Sequence, residues 1–207
     1  RADLSCGPCR ASAPEVTTDF RLETDRLILR NWRPGDIVPF AELTNTPDVM
    51  RWLGGVMDAE RLEALEGRVS GFHESYGHTF WIVERKSDGG DLSGEMLGFC
   101  GLKKIDAPGA SFPGAFEIGW RLRSDSHGKG YAREAATASL DAGFDRFGAP
   151  EIFALTVIGN TPSWGLMRRL GMQRREELDY DDVRFEPPLR HTIVYSITQA
   201  TWTARPR

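Results

Sequence analysis

Residues 119–135, GWRLRSDSHGKGYAREA, constrain the fold more than any other part of the chain. A run typical of a β-strand enters a turn with glycines at positions 128 and 130, and the periodicity becomes helical from Tyr131. The first turn of a helix leaves backbone N–H groups without acceptors, and its N-terminus carries about half a positive charge. The stretch therefore predicts an anion-binding turn between a strand and a helix, or else an ordinary loop whose glycines only permit tight turning.

Two common phosphate-binding motifs are excluded at this turn. The dinucleotide fingerprint needs Gly or Ala three residues after its second glycine, where this chain has Arg133. The Walker A loop needs Ser or Thr after Gly-Lys and a glycine further upstream, but Gly130 and Arg123 occupy those positions. An anion bound here would therefore be held in a different way.

The patterns along the rest of the chain predict one domain. The hydrophobic content of 40% is enough to fill a single core. We predict an α/β (α+β) domain at residues 20–200, preceded by a flexible arm at 1–19 and followed by a tail at 201–207. Strands are predicted at 26–32, 79–85, 96–105, 115–122, 151–158 and 191–198, and helices at 37–43, 46–53, 58–76, 131–147 and 162–170.

Three motifs carry a resemblance to a known family. In this order, FEIGWRL, SHGKGYAREA and NTPSWGLMRRLGM resemble the GNAT superfamily of N-acetyltransferases, in particular the branch that includes the acetyltransferases of ribosomal-protein N-termini. The resemblance extends from LETDRLILRNWRPGD to LRHTIVYSIT, about 85% of the chain. It implies a single domain with a mixed, mostly antiparallel sheet and flanking helices, in which two central strands splay apart and hold acetyl-CoA.

The resemblance also implies which residues contact acetyl-CoA. The backbone of Trp120 and Leu122 would pair with the pantetheine arm, and Asn160 would hydrogen-bond the same arm. Asp125 stands where the superfamily often has Gln or Arg, which removes a positive side chain. The pyrophosphate would rest on the backbone amides of His127, Gly128, Lys129, Gly130, Tyr131 and Ala132.

The chemical step needs a neutral amine and a stabilised leaving group. An alkylamine of pKa about 10.4 must lose a proton before it attacks at pH 7, whereas an α-amine of pKa about 7.8 is already partly deprotonated. Glu117, on the first splayed strand, is the candidate base, with a solvated glutamate as the alternative. Many relatives place a tyrosine where this chain has Met167, so Ser163 is the candidate that assists the departing thiolate. Its hydroxyl could instead bond to the backbone at a helix N-terminus.

Composition narrows the partners and the location. The 26 basic residues are scattered among 30 acidic ones and the net charge is −4, which gives no case for nucleic acid. No run of eighteen apolar residues occurs, so no membrane span is predicted. Three cysteines, an odd number, suit a reducing compartment, and we expect a cytoplasmic protein. A homodimer is the expectation for the oligomeric state.

Metal and thiol chemistry are not favoured. His73 and His78 are five residues apart, about 140° around a helix, so they do not share a face as zinc ligands would. Cys6 and Cys9 form a Cys-x-x-Cys motif, but only five residues precede Cys6, too few for the strand that a redox site needs. We therefore predict no metal, and Cys100 is expected to belong to the core.

The function expected is acetyl transfer from acetyl-CoA to a primary amine, either of a protein N-terminus or of a small molecule. The alternatives within enzymes are another acyl-CoA donor or a small-molecule acceptor such as an aminoglycoside or a polyamine. The alternative from another class is a non-catalytic acyl-CoA-binding sensor, and a thiol oxidoreductase is the weakest alternative. One acidic stretch could attract a cationic amine or form a solvated loop. It comprises Glu176, Glu177, Asp179, Asp181 and Asp182.

Overall fold

The structure is a computed structural model that describes residues 20–205. Its strands are Arg21–Glu23 (β1), Leu27–Arg30 (β2), Phe80–Arg85 (β3), Met96–Lys104 (β4), Phe116–Leu122 (β5), Glu151–Val157 (β6), Gln173–Arg174 (β7), Tyr180–Asp181 (β8) and His191–Thr198 (β9). Its α-helices are Ile37–Thr44 (α1), Pro47–Met50 (α2), Ala59–Tyr76 (α3), Tyr131–Asp145 (α4), Thr161–Arg169 (α5) and Gln199–Thr203 (α6). None of the helices in this range is both long and apolar enough to cross a lipid bilayer.

One sheet organises the domain, in the order β1-β2-β3-β4-β5-β6-β9-β7, with β8 also paired to β9. All neighbouring pairs are antiparallel except β5 and β6. That pair is parallel because α4 carries the chain from the end of β5 back to the start of β6. The predicted α/β (α+β) class with a mixed, mostly antiparallel sheet is confirmed.

The two faces of the central sheet have different neighbours. Cys100 and Leu102 of β4, with Ile118 and Leu122 of β5, point to the face covered by α4 and join the main core. Residues at the alternate positions, such as Phe99, face the other side, where α1 packs in a second cluster around Phe40. Glu117 and Arg121, at the alternate positions of β5, therefore share the face opposite α4.

The predicted C-terminal boundary of the domain, at residue 200, falls within α6. Residues 201–205, set apart above as the start of a tail, include the last three residues of α6. Trp202 is buried, and its Nε1 donates a hydrogen bond to Asp141 Oδ1 of α4 at 2.8 Å. The boundary at residue 200 thus lies inside a helix that packs on the core. The arm at 1–19, with Cys6 and Cys9, lies outside the described residues.

Gly101 shows how closely β3 and β4 pack. A Cβ atom at this position would lie 2.5 Å from the Thr79 carbonyl oxygen and 2.8 Å from the Trp81 backbone nitrogen. Backbone atoms cannot move aside as a side chain can, so Gly101→Ala is expected to lower the free energy of unfolding by about 1–3 kcal/mol. Urea unfolding measures the change.

A matched control is available in α3. A Cβ atom on Gly67 would meet no atom of residues 20–205 within 4 Å outside its own helical turn. Gly67→Ala should therefore raise the free energy of unfolding by about 0.5–1 kcal/mol, because glycine weakens a helix interior. Equal stability of Gly101→Ala and the unsubstituted protein would contradict the packing argument.

Candidate active site

The two central parallel strands separate soon after they begin. β5 and β6 pair only at Phe116 with Ile152 and at Glu117 with Phe153. β5 then continues to Leu122 and stays paired with β4, while β6 continues to Val157 and stays paired with β9. Their facing edges beyond Glu117 and Phe153 have no strand between them among the described residues, and this leaves a cleft in the sheet.

Backbone groups of β5 point into this cleft at alternate residues. The Arg123 N–H donates to the Leu97 carbonyl of β4 at 2.8 Å. In an antiparallel ladder the residues on either side of such a pair direct their N–H and C=O groups the other way. The backbone N–H and C=O groups of Trp120 and Leu122 therefore point into the cleft. The Leu122 carbonyl accepts a hydrogen bond from His127 Nε2 at 3.0 Å, which leaves the Leu122 N–H and both groups of Trp120 for a ligand.

The glycine-rich turn lies at the end of the same strand. Gly128 and Gly130 have φ angles of 75° and 83°, in the left-handed region that favours glycine. Within residues 20–205, the backbone N–H groups of residues 128–132 have no hydrogen-bond acceptor, whereas the His127 N–H donates to the Ser124 carbonyl. Gly130 is the N-cap of α4 and brings no side-chain cap. Of the six backbone amides predicted to hold the pyrophosphate, those of residues 128–132 are free, and the amide of His127 is not.

Arg26 connects this turn to the start of β2. Its Nη1 donates to the Lys129 carbonyl at 3.0 Å, its Nε donates to Glu134 at 2.7 Å, and its Cζ lies 4.6 Å from the Tyr131 ring centroid. Burial alone would raise the pKa of Glu134, but hydrogen bonds from Thr24 and Arg26 hold it below its ordinary value. The shape of the turn therefore depends on residues about a hundred positions earlier in the chain, which local sequence patterns do not reveal.

The two charged side chains at the turn are both paired. Asp125 accepts hydrogen bonds from Arg123, with Nε to Oδ1 at 2.6 Å, and this contact lowers the pKa of Asp125. The Lys129 ammonium group pairs with Asp91. The negative charge of Asp125 is thus compensated by Arg123, and the free N–H groups remain the main attraction for an anion.

A cavity of about 490 Å³ opens on the sheet face opposite α4, between the sheet, α3 and residues 180–189. Glu117 lines it with a side chain that is 14% exposed, so the solvated alternative does not hold. Its Oε2 lies 2.7 Å from Lys103 Nζ on β4, whereas its Oε1 has no hydrogen-bond partner in the described part of the chain. One carboxylate oxygen is therefore free to accept a proton from a bound molecule.

Asn160 and Ser163 begin α5, directly after β6, and so border the cleft from the side opposite the glycine-rich turn. Asn160 Nδ2 donates to Thr156 Oγ1 at 3.0 Å. The Ser163 N–H donates to the Asn160 carbonyl, but the Ser163 hydroxyl has no hydrogen-bond partner among residues 20–205. Met167 is buried in the core. The alternative of a Ser163 hydroxyl held by backbone is therefore not observed.

The acidic stretch before the last strand is largely neutralised. Asp179 pairs with Arg174, and Asp182, which borders the cavity, pairs with Arg184 at 2.5 Å. Two further pairs are Glu177 with Arg175 at 2.7 Å and Asp181 with His191 at 2.9 Å. Asp179, Asp182 and Glu177 already have arginine partners, so the stretch is a poor attractant for a cationic amine.

Other reactive groups of the described chain do not form a site. Burial raises the pKa of the Cys100 thiol to about 12, which removes it as a nucleophile. His78 is buried and its Nδ1 lies 2.9 Å from the Leu102 carbonyl oxygen. Between residues 20 and 205 no group of three or more His, Cys, Asp or Glu side chains could hold a metal ion.

An open, mostly antiparallel sheet whose central strands separate beside a turn with free N–H groups is the arrangement of an acetyltransferase fold. The family model of the acetyltransferase (GNAT) domain matches residues 26–173. This range is more than two thirds of the chain, so the protein belongs to the GNAT acetyltransferase family.

Similar proteins show how far this likeness extends. The uncharacterized protein YkkB of Bacillus subtilis (strain 168) is 33% identical over 153 residues, which are 73% of this chain and 84% of YkkB. The structure of ribosomal-protein-S5-alanine acetyltransferase from Vibrio fischeri has a TM-score of 0.68 at 20% identity and covers 91% of this chain and 100% of that one. Spermidine N-acetyltransferase from Vibrio cholerae, in complex with CoA and spermine, has a TM-score of 0.65 at 17% identity, over 87% of this chain and 99% of that one. At such identities the structures share the fold, and their acceptors differ.

Three contributors to the site were missed by sequence reasoning: Arg26, Lys103 and Arg121, which belongs to β5 and lines the cavity. Lys103 could have been found, because folding the predicted strands 96–105 and 115–122 into a hairpin brings its positive charge opposite Glu117. Arg26 and Arg121 have no such local signal. Their surroundings come from segments that are distant in sequence.

Proposed function

We propose that this protein transfers the acetyl group of acetyl-CoA to a primary amine by direct attack within a ternary complex. The observation that carries the proposal is the row of five free N–H groups at residues 128–132 beside the cleft between β5 and β6. Converging backbone N–H groups at a helix N-terminus suit a pyrophosphate, and the open edge of β5 suits an extended amide-bearing arm.

The fit of acetyl-CoA can be assigned to the chain's own groups. The N–H groups of Gly128, Lys129, Gly130, Tyr131 and Ala132 would hold the pyrophosphate. The free backbone groups of Trp120 and Leu122 would pair with the pantetheine amides, with Asn160 on the opposite side. The His127 side chain, bound to the Leu122 carbonyl, would stabilise the end of β5 rather than contact the pyrophosphate through its amide.

Bound acetyl-CoA supplies an activated thioester, and Glu117 prepares the attacking amine. The free Oε1 of Glu117 would take a proton from the ammonium group, directly or through a water molecule. Lys103 holds Oε2 and thereby fixes the orientation of the carboxylate. The Ser163 hydroxyl would donate a hydrogen bond to the departing thiolate. No covalent intermediate with the protein is needed.

The acceptor is a small molecule or a protein N-terminus. An enzyme named for spermidine and one named for a ribosomal protein share this fold. The fold therefore does not distinguish a small-molecule acceptor from a protein acceptor. A cytoplasmic location and a homodimer stay predictions. The second candidate function, a non-catalytic acyl-CoA-binding sensor, is favoured by one observation: Met167, where many relatives have a proton-donating tyrosine, is buried and apolar.

A screen of amines and N-terminal peptides with acetyl-CoA separates the two functions. We expect thiol release that depends on both the protein and an amine, with the acetyl group found on the amine by mass spectrometry. The control is the same mixture without amine, which reports hydrolysis alone. Stabilisation by acetyl-CoA without any acetylated amine would support the sensor and contradict the enzyme.

A further inference from the structure

The cavity that Glu117 lines also contains a buried cation, Arg121, which has no ion-pair partner within residues 20–205. Arg121 is on β5, opposite Phe99 of β4, and borders the same cavity. Its Cζ lies 5.2 Å from the Phe99 ring centroid and 5.6 Å from that of Phe40. Its Nε and Nη1 are shielded from solvent and have no hydrogen-bond partner among residues 20–205.

An unpaired guanidinium is costly to bury. Burial, with a smaller contribution from Arg61, lowers the pKa of Arg121 to about 10, so the group is still charged at neutral pH. Two aromatic faces compensate part of the lost hydration, but they accept none of the N–H hydrogens in the plane of the group. A guanidinium has five donors and no acceptor, so its missing partner is an acceptor, and an anion suits it best.

The other charges of the cavity do not supply this partner. The carboxylates that line it are Glu117 and Asp182, and both are already paired with cations. Arg61, another cation of the lining, donates to the backbone carbonyls of Gly54 and Val56, and it has no carboxylate partner within residues 20–205. The described part of the cavity thus has an excess of positive charge, with Arg121 at its buried side.

We propose that the acceptor carries an anionic group, a carboxylate or a phosphate, that binds Arg121 while the amine lies near Glu117. The inference rests on the proposed function, because it takes this cavity as the acceptor site. Arg121 and Glu117 are four residues apart on one strand, which separates their Cα atoms by about 13 Å. A peptide spans at most about 3.5 Å per residue, so a short acidic peptide fits this distance better than a single amino acid.

Matched peptide pairs test the proposal. Trialanine as the free acid is compared with trialanine amide, and Ala-Ala-phosphoserine amide with Ala-Ala-serine amide. The first pair tests a carboxylate and the second a phosphate. We expect kcat/KM to be about ten- to a hundredfold higher for the anionic member of at least one pair, as for a charge-assisted hydrogen bond.

Substitutions at Arg121 assign that preference to its source. Arg121→Met should reduce the ratio of kcat/KM between the anionic and the neutral peptide of a pair to less than about twofold, mainly by raising KM for the anionic peptide. Arg121→Lys should retain part of this preference. Removing an uncompensated buried charge should leave Tm unchanged or higher, whereas a purely structural arginine would lower Tm on removal and affect both peptides equally. Arg146→Met is the matched control, since the Arg146 Cζ lies 5.0 Å from the Phe20 ring centroid and outside the cavity.

Failure of this proposal differs from failure of the proposed function. Equal kcat/KM within both pairs, or a preference that survives Arg121→Met, would overturn the anionic acceptor while acetyl transfer stands. If no amine is acetylated, calorimetric titration of the same pairs into the protein with CoA decides the matter. Tighter binding of the anionic peptide, lost in Arg121→Met, supports the anion site, and equal binding refutes it.

Discussion

Glu117→Gln is expected to lower kcat by about 10²- to 10⁴-fold, the usual contribution of a general base. The loss should be largest with alkylamine acceptors and at low pH, because neutralising an alkylamine at pH 7 costs about 4–5 kcal/mol against about 1 kcal/mol for an α-amine. Lys103 keeps Asp106 as a partner at 2.9 Å, so the variant should still fold. Steady-state kinetics between pH 6 and about pH 9 measure the effect.

Glu151→Gln is the control for this variant. Glu151 is also a strand glutamate in an ion pair, with Arg175 at 2.6 Å, but it does not border the cavity. Ser163→Ala accompanies the pair and should lower kcat with little change in the Kd for acetyl-CoA, since the thiolate develops mainly in the transition state. Losses below about threefold in both Glu117→Gln and Ser163→Ala would mean that positioning of the amine alone drives the reaction.

Gly128→Val should abolish the stabilisation that acetyl-CoA gives the unsubstituted protein. A ligand at a hundred times its Kd stabilises the folded state by about 2.7 kcal/mol, or about 5–10 °C in Tm for a chain of this size. A β-branched residue disfavours the φ of 75° at this position, so the turn must rearrange and its N–H groups lose their common direction. Thermal unfolding with and without acetyl-CoA measures the difference.

The same substitution elsewhere separates strain from binding. Gly114 has a φ of 79° and, like Gly128, would place a Cβ atom with no neighbour within 4 Å. Gly114→Val should therefore lower Tm by a similar amount through backbone strain, yet keep the full increase with acetyl-CoA. An undiminished increase in Gly128→Val would contradict the assignment of the turn to the pyrophosphate.

Local sequence patterns predicted the turns, strands and helices whose formation depends on residues close together in the chain. The turn of residues 124–130 could be predicted because Gly128 and Gly130 directly precede a helical periodicity, a pattern typical of a tight turn that leads into a helix. The strand β5 and the helix α4 were visible through their apolar periodicity. The strands β7 and β8 were missed because two residues have no period, and α6 was missed because Trp202 reveals its burial only through contact with α4.

The candidate site was less accessible, since it is assembled from distant segments. Glu117 could be chosen as the base from the resemblance, but its ion pair with Lys103 depends on strand register. The acidic stretch looked attractive to a cation, although its partners Arg174, Arg175 and Arg184 lie within five residues of the carboxylates they bind, because sequence alone does not show which charges pair. Within residues 20–205 the Nε and Nη1 atoms of Arg121 have no hydrogen-bond partner. This depends on every segment that lines the cavity, so no single stretch of the sequence reveals it.

The connection from Arg26 to Lys129 and Glu134 has a consequence for protein design. SHGKGYAREA cannot be transferred by itself, because its first helical turn contains a carboxylate, Glu134, whose hydrogen bonds come from Thr24 and Arg26 in the connection between β1 and β2. Grafted between a strand and a helix of a different scaffold, the segment would bring a partly buried acid without its donors. A transplant that keeps the geometry of the loop must therefore include residues 24–26, which precede β2, or replace Glu134 by a neutral residue.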